Sequence, residues 1–306
     1  MIDILSKRYY YFLFSVLVIL PGLIILGTRG LPLSIDFTGG SLLEVQFEES
    51  KTPQPAEIVS LYETSGINDA QVQTTESGTL LIRSSFLTNE KRDSILSTMQ
   101  TETNSDITVI RFDSVGPSIG SQVASRAALA VGIAALGVVL FITYVFRNVP
   151  NAFRYGVCAI IAMAHDVAVV FSVAGIGALL FDWQIDALFL TALLTVIGFS
   201  VQDKVVVFDR IRENTSTLRR LEYEKLVNHS IVQTLQRSIN TQLMTVEFLL
   251  LALALFGGIT LQEFAVILLV GLFSGTYSSI FIAAPILVLW ENREWKNWFK
   301  RTPANA

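Results

Sequence analysis

The amino-acid sequence predicts an α-helical membrane protein with six transmembrane helices and one exterior ferredoxin-like α+β domain. Of its 306 residues, 52% are apolar and 16% are charged, whereas soluble domains carry about 25% charged residues. Uncharged stretches of about 20 residues, long enough for a helix to cross a bilayer, recur along the chain. A polar stretch over residues 30–122 interrupts them, and its apolar residues follow the mixed periods of strands and helices.

The first predicted span runs from Tyr9 to Leu26 and follows the basic pair Lys7 and Arg8. A cleavable signal peptide has a shorter apolar core and a small-residue cleavage site behind it. This stretch is longer, and no such site follows it. We therefore expect an uncleaved anchor, which makes residues 1–29 the N-terminus and first transmembrane helix.

Residues 30–122 predict an exterior domain of β-α-β-β-α-β order, which is the ferredoxin-like arrangement. One helix is expected after Pro53 and Pro55, and a second over 88–103 with Thr88 or Asn89 as its cap. The segment holds no histidine or cysteine, so nothing in it predicts catalysis. The predicted strands cover residues 34–47, 69–74, 79–84 and 106–113.

Residues 123–290 are expected to form a bundle of five further spans. Within it, the charged segment 209–240 repeats apolar side chains every four residues at Val227, Ile231 and Leu235. That period predicts an amphipathic helix on the inner membrane face. The five predicted spans cover residues 127–146, 155–176, 185–208, 241–258 and 264–290, and residues 291–306 follow as a tail.

Basic residues predict that both termini are cytoplasmic. With this orientation, 15 of the 22 Lys and Arg residues fall on the inner side of the membrane, as the positive-inside rule requires. A net charge of −4 argues against a nucleic-acid partner. A single cysteine, Cys158, excludes an internal disulfide, and only two histidines, His165 and His229, exclude a multi-histidine metal site. We expect no metal ion, no cofactor and no enzymatic activity.

Ionisable residues inside the predicted spans are the candidate functional residues, because burying a charge in lipid is costly and usually serves a function. Asp203 lies near the cytoplasmic end of the fourth span and either exchanges a proton or holds two helices together. Arg237 precedes the fifth span at a similar depth and either pairs with Asp203 or anchors the helix end. Thr241 follows it as a packing or capping group.

The pair His165-Asp166 lies midway along the third span, where it either relays protons or joins helices by hydrogen bonds. Lys204 follows Asp203 directly, but adjacent side chains on a helix do not face each other. We expect Lys204 to extend towards the cytoplasmic headgroups. Glu247, within the fifth span, is expected to face the bundle interior near His165 or a partner chain, either as a second proton-binding carboxylate or as a protonated hydrogen-bonding group.

Seven motifs, in order along the chain, resemble those of the SecF group in the SecD–SecF family of the resistance–nodulation–division superfamily. The longest, GFSVQDKVVVFDRIREN over residues 198–214, is similar to the family's GYSxNDTVVVFDRIREN and contains Asp209 and Arg210. Asp36, Phe37, Thr38, Gly39 and Gly40 belong to a segment that resembles the family's SIDFTGG. The other five motifs are Val115-Gly116-Pro117, His165-Asp166-Val167, Arg237-Ser238-Ile239-Asn240-Thr241, Phe256-Gly257-Gly258 and Gly275-Thr276-Tyr277-Ser278-Ser279.

The resemblance implies an accessory subunit of the Sec translocase that, with SecD, couples proton flux to late steps of protein export. It implies a place in the bacterial inner membrane, with SecD, the SecYEG translocon, YidC and an unfolded exported polypeptide as partners. It also implies that Asp203 is the essential intramembrane aspartate, and that Arg237 and Thr241 are functional. The chain departs from the family pattern at Gln202, Lys204 and Glu247.

The sequence alone leaves the coupling ion open between H⁺ and Na⁺, and it leaves two other functions open. A non-conducting assembly partner of the translocon would carry the same motifs without moving an ion. A small-molecule exporter of the same superfamily is the third reading, although the short exterior domain leaves little room for a drug-sized pocket.

Overall fold

The computed structural model describes residues 3–48, 52–75, 78–147, 152–242, 248–256 and 259–294. The chain divides into two compact units. One is a small α/β unit, Leu33–Leu129, and the other is a helical unit that combines Met1–Pro32 with Ala130–Ala306.

Five helical segments are long and apolar enough to cross a membrane, counted over the described residues alone. The fifth predicted span, 241–258, is described only in part, and most of the described part is the apolar helix α9. The prediction of a helical membrane protein is therefore confirmed. The helices are α1 (Arg8–Arg29), α5 (Pro117–Phe146), α6 (Ala152–Phe181), α7 (Ala187–Thr217), α8 (Tyr223–Gln242), α9 (Phe248–Phe256), α10 (Ile259–Ser278) and α11 (Ala284–Glu291).

Helices α6, α7 and α10 form the centre of the helical unit. In the apolar stretch of each span, half of the residues of α6 and of α7 are buried, and 61% of those in the segment 261–291. In α1 and α5 the buried share is only 11%. Small residues allow the close approach: a Cβ on Gly271 of α10 would lie 2.1 Å from Val196 of α7. Helices in lipid gain no hydrophobic free energy by associating, so they pack through close van der Waals contacts at small residues. Cys158 of α6 is fully buried.

Helix α1 packs against α6 at a second close contact. A Cβ on Gly22 would lie 2.0 Å from the carbonyl oxygen of Ser172, and the Ser172 hydroxyl donates to the carbonyl of Val18 at 2.7 Å. The two helices therefore touch backbone to backbone, which only glycine at position 22 permits.

The charged segment after the fourth span consists of two helical parts. Residues 209–217 continue α7 without a break, and α8 begins only at Tyr223. On α8, Val227 and Ile231 are fully buried, as the four-residue period predicted, and Leu235 is half-buried. Helix α8 packs against α7, where the Asn214 amide donates to the Ser230 hydroxyl at 2.8 Å.

The α/β unit has the predicted β-α-β-β-α-β order, with all neighbouring strands antiparallel. The sheet order β2-β3-β1-β4 is the ferredoxin-like one. A cluster of apolar side chains, among them Val45, Tyr62 and Met99, fills its core. The elements are α2 (Ile35–Thr38), β1 (Gly40–Phe47), α3 (Pro55–Thr64), β2 (Gln71–Thr74), β3 (Leu80–Ser84), α4 (Asn89–Thr103) and β4 (Ile107–Val115).

The prediction of a first strand over residues 34–47 is wrong for the residues before Gly40. Residues 35–38 form the one-turn helix α2, and the strand begins at Gly40. The Ser34 hydroxyl caps this turn by accepting a hydrogen bond from the backbone amide of Asp36 at 3.2 Å. Gly39 ends it with a φ of 75°, a conformation that favours glycine.

Candidate functional site

Asp166 lies at the centre of a buried polar cluster between α6, α7 and α10. Its Oδ2 atom accepts hydrogen bonds from the Ser200 hydroxyl (2.6 Å), the Lys204 ammonium (2.7 Å) and the Ser278 hydroxyl (2.7 Å). Its Oδ1 atom accepts from the Ser274 hydroxyl at 2.6 Å. Each of these side chains is buried. A carboxylate in an apolar bundle is stable only when donors satisfy it in this way.

The cluster assembles because each helix supplies residues at helical spacing. Ser200 and Lys204 are four residues apart on α7, as are Ser274 and Ser278 on α10, so each pair lies on one helix face. A Cβ on Gly275 would lie 3.2 Å from the Cα of Ser200, which brings the two faces together.

The prediction that Lys204 extends to the headgroups is wrong. Its side chain is fully buried, and the ammonium also donates to the carbonyl (3.1 Å) and the hydroxyl of Ser200. A lysine extends to the interface when no nearer partner satisfies it. Here Asp166 supplies an opposite charge at 2.7 Å within the bundle.

Asp203, the leading candidate from the sequence, is also buried on α7, with 6% of its surface exposed. Its Oδ2 atom accepts a hydrogen bond from the Thr276 hydroxyl of α10 at 3.2 Å. Lys204 bonds to Asp166 and Asp203 bonds to Thr276, as expected for adjacent residues that point about 100° apart on a helix. Two carboxylates therefore lie inside the bundle in different surroundings.

His165 connects the cluster to α1. Its Nδ1 atom lies 3.1 Å from Asp166 Oδ1, and its Nε2 atom lies 2.9 Å from the hydroxyl of Ser15. The imidazole stacks on the ring of Tyr277, with centroids 6.0 Å apart, and the Tyr277 hydroxyl donates to the carbonyl of Tyr11 at 2.9 Å. Both sequence interpretations of the His-Asp pair, a proton relay and a link between helices, are compatible with this chain of contacts.

Arg237 lies on α8, is exposed, and makes no ion pair within the part of the chain that the structure describes. It lines a groove together with Gln202 of α7 and Phe141 of α5. Its pairing with Asp203 stays a prediction. Thr241 is exposed near the end of α8, and Glu247 lies outside the described residues.

The motif from Asp36 to Gly40 forms a tight turn in the α/β unit. Phe37 is buried, and the Thr38 hydroxyl donates to the carbonyl of Ser34 at 3.0 Å. A Cβ on Gly39 would lie 2.7 Å from the Cα of Pro117, and one on Gly40 would lie 2.8 Å from the carbonyl oxygen of Ser84. The two glycines are thus needed for close backbone packing.

Asp209 and Arg210 lie on the continuation of α7 beyond the apolar stretch. Asp209 pairs with Arg212 at 2.6 Å, and Arg210 pairs with Glu213 at 2.6 Å. Arg210 Nε also donates to the side-chain carbonyl of Gln233 on α8 at 2.7 Å. This part of the longest motif connects α7 to α8.

Sequence reasoning did not single out the serines that surround Asp166. Their signal was the repeat of hydroxyl groups four residues apart inside an apolar span, at Ser274 and Ser278. Neither one carries a charge, so neither stands out as costly in lipid. Within the described residues, no group of three or more His, Cys, Asp or Glu side chains is arranged to hold a metal ion.

An apolar helical bundle with buried charges at its centre and a small βαββαβ unit defines a multi-span membrane protein. The family described as protein export membrane protein SecD/SecF, C-terminal, matches residues 95–293, and the SecD/SecF GG motif matches residues 24–51. The chain therefore belongs to the SecD/SecF family of protein-export membrane proteins.

Individual relatives agree with this assignment. Protein translocase subunit SecF from Anaerolinea thermophila is 67% identical over the full length of both chains, which places this chain in the SecF group of the family. Protein translocase subunit SecDF from Bacillus subtilis is 33% identical over 96% of this chain and 39% of its own length. The crystal structure of SecDF, a translocon-associated membrane protein, from Thermus thermophilus matches with a TM-score of 0.81 and 31% identity. That match covers 95% of this chain and 39% of the SecDF chain.

Proposed function

We propose that this chain is the SecF half of a SecD–SecF pair that couples proton flux to late steps of protein export. The observation that carries the proposal is Asp203, a carboxylate buried in the apolar part of α7. A carboxylate held in such surroundings is suited to binding and releasing a proton as its exposure to water changes. Asp166 is less suited, because Lys204 pairs with it.

The partner follows from the length of the relatives. In the protein named SecDF from Bacillus subtilis, the segment similar to this chain makes up 39% of the length, and the name of that protein supports SecD as the partner. SecYEG, YidC and the unfolded exported polypeptide are proposed as further partners from the family resemblance. The proposed place is the bacterial inner membrane, with both termini in the cytoplasm.

The membrane potential bounds what one transport cycle can do. Moving one charge across 100 mV supplies roughly 2.3 kcal/mol. This energy is enough to shift a conformational equilibrium of a few kcal/mol, but export of a long chain would need repeated cycles. Catalysis of a covalent reaction forms no part of the proposal.

The test is Asp203→Asn in vesicles that contain SecYEG, SecD and the full chain. Asn keeps the hydrogen-bonding shape but cannot ionise, so we expect gradient-stimulated export to fall to the level seen with a protonophore. Glu213→Gln, which removes an exposed carboxylate from the same helix, is the control and should keep the stimulation. Full stimulation in the Asn variant would remove Asp203 from the mechanism, and loss with a sodium ionophore instead would identify Na⁺ as the coupling ion.

A second candidate function, a non-conducting assembly partner, is favoured by one observation. Asp166 takes part in five hydrogen bonds, including one from a fully buried ammonium, which is the geometry of a fixed link between helices. In that case Asp203→Asn would leave export unchanged, whereas substitutions at Lys204 would weaken co-purification with SecD. The reading as a small-molecule exporter receives no such support, because the α/β unit spans only Leu33–Leu129.

A further inference from the structure

The Lys204 ammonium is enclosed by oxygen atoms in the manner of a bound ion. An ammonium group has three N–H donors, and those of Lys204 are directed to Asp166 Oδ2 at 2.7 Å, the Ser200 carbonyl at 3.1 Å and the Ser200 hydroxyl. Its side chain has no exposed surface. The charge therefore reaches no solvent, and protein oxygens replace its hydration shell.

These oxygens are of the kinds that bind hard cations. Carboxylate, backbone carbonyl and hydroxyl oxygens replace water around such ions in proteins. The hydroxyl of Ser274 lies 2.6 Å from Oδ1 of the same carboxylate, and the hydroxyl of Ser278 lies 2.7 Å from Oδ2. A hydroxyl carries lone pairs as well as a proton, so it can turn from donating to the carboxylate to accepting a cation.

We propose that Asp166 and Ser200 form a site for a monovalent cation, with the hydroxyls of Ser274 and Ser278 beside the same carboxylate, and that the Lys204 ammonium occupies this site as a covalently attached ion. The wild-type chain then binds no free cation there. Removal of the lysine side chain leaves a buried carboxylate, a set of oxygen ligands and space for an ion. The inference concerns ion binding alone, so it stands or falls separately from the coupling role of Asp203.

The test is the full chain with Lys204→Ala, reconstituted in lipid nanodiscs and unfolded by heat at constant ionic strength. The probes are NaCl, methylammonium chloride and, as the bulky control cation, N-methyl-D-glucamine chloride. Ligand binding to the folded state lowers the unfolded-to-folded ratio by a factor of 1 + [L]/Kd, about 100-fold at 100 times Kd. We expect the melting temperature of this variant to rise with the logarithm of Na⁺ or methylammonium concentration, and not with the bulky cation.

Two matched chains complete the experiment. The wild type should melt at the same temperature in all three salts, because its site is already filled. The double variant Asp166→Asn/Lys204→Ala has the same space but no carboxylate, so it should also show no preference among them. A Na⁺ or methylammonium effect confined to the single variant supports the proposal, and direct binding of ²²Na⁺ to that variant alone would confirm the ligand.

Other outcomes overturn it. An equal cation effect in all three chains would be a general salt effect, and no effect in folded Lys204→Ala would mean that the oxygens do not bind a free ion. If the single variant cannot be recovered in folded form, it is solubilised and purified in each salt. Recovery only with Na⁺ or methylammonium supports the site. Failure in every salt contradicts it, because the cluster would then require the attached ammonium itself.

Discussion

Tyr62 in the core of the α/β unit offers a sharp test of how burial sets stability. Its side chain is fully buried among apolar residues such as Ile58 and Met99. Its hydroxyl has no hydrogen-bond partner within the described residues. The change Tyr62→Phe removes only this oxygen and keeps the ring, so it leaves the packing in place.

The expected effect is a gain in stability. Leaving a buried polar group unsatisfied costs about 1–3 kcal/mol, and the Phe variant recovers that cost. For a domain of this size, each kcal/mol shifts the melting temperature by about 4–8 °C. We therefore expect Tyr62→Phe to melt at least about 4 °C higher than the wild type.

The same hydroxyl predicts a pH dependence. Burial raises the pKa of Tyr62 above its ordinary value of about 10. Above pH 10 the unfolded chain loses the phenol proton while the folded chain keeps it, so stability falls as pH rises. The difference in unfolding free energy between variant and wild type should widen by about 1.4 kcal/mol between pH 9 and pH 11.

The assay is denaturant and thermal unfolding of residues 30–122, which contain this whole core. Ser41→Ala is the matched control, expected to change stability in the opposite direction. The Ser41 hydroxyl accepts a hydrogen bond from the buried amide of Leu87 at 2.8 Å and forms another with the Ser114 hydroxyl at 2.7 Å. Its removal should destabilise the unit by about 1–3 kcal/mol. A Tyr62→Phe variant that melts at or below the wild-type temperature would refute the reasoning.

Two further predictions concern glycine contacts. Gly22→Ala should lower the melting temperature of the full chain in nanodiscs, because the new Cβ would lie 2.0 Å from the Ser172 carbonyl oxygen. Gly27→Ala on the same helix is the control: its Cβ would meet nothing within 4 Å, so it should have little effect. Equal melting of the two variants would count against backbone contact between α1 and α6. Gly39→Ala should destabilise residues 30–122 by about 1–3 kcal/mol, since its φ of 75° and ψ of 167° form a combination that is essentially confined to glycine. Gly116→Ala, in open space, should cost less than half of that.

Much of the fold could be predicted because its determinants are local. The thickness of the bilayer sets the length of a span, so runs of apolar residues are enough to find one. The strand and helix order of the α/β unit followed from short-range periods and from caps. Of the two predicted caps, Thr88 and Asn89, Thr88 is the one present, and its side chain accepts a hydrogen bond from the amide of Lys91. The exception is α2, where a serine cap and a glycine outweigh a sequence that alternates like a strand.

The candidate site could be predicted only in part, because its contacts join distant parts of the chain. The cost of burying charge in lipid identifies Asp166 and Asp203 from the sequence. The partner of Lys204, in contrast, lies 38 residues away on α6, and position along a span does not predict it. The serines of α10 are more than 100 residues from Asp166 and carry no charge to draw attention to them.

Cys158 has a practical consequence for measuring motion. As the sole thiol of the chain, enclosed between helices, it is out of reach of water-soluble maleimide reagents. A cysteine introduced at an exposed position, such as Asp69→Cys in the α/β unit, would then be the one site that a fluorophore or spin label modifies. A label on that unit can thus be followed by spectroscopy while export is driven, in the otherwise native sequence and without first making a cysteine-free background.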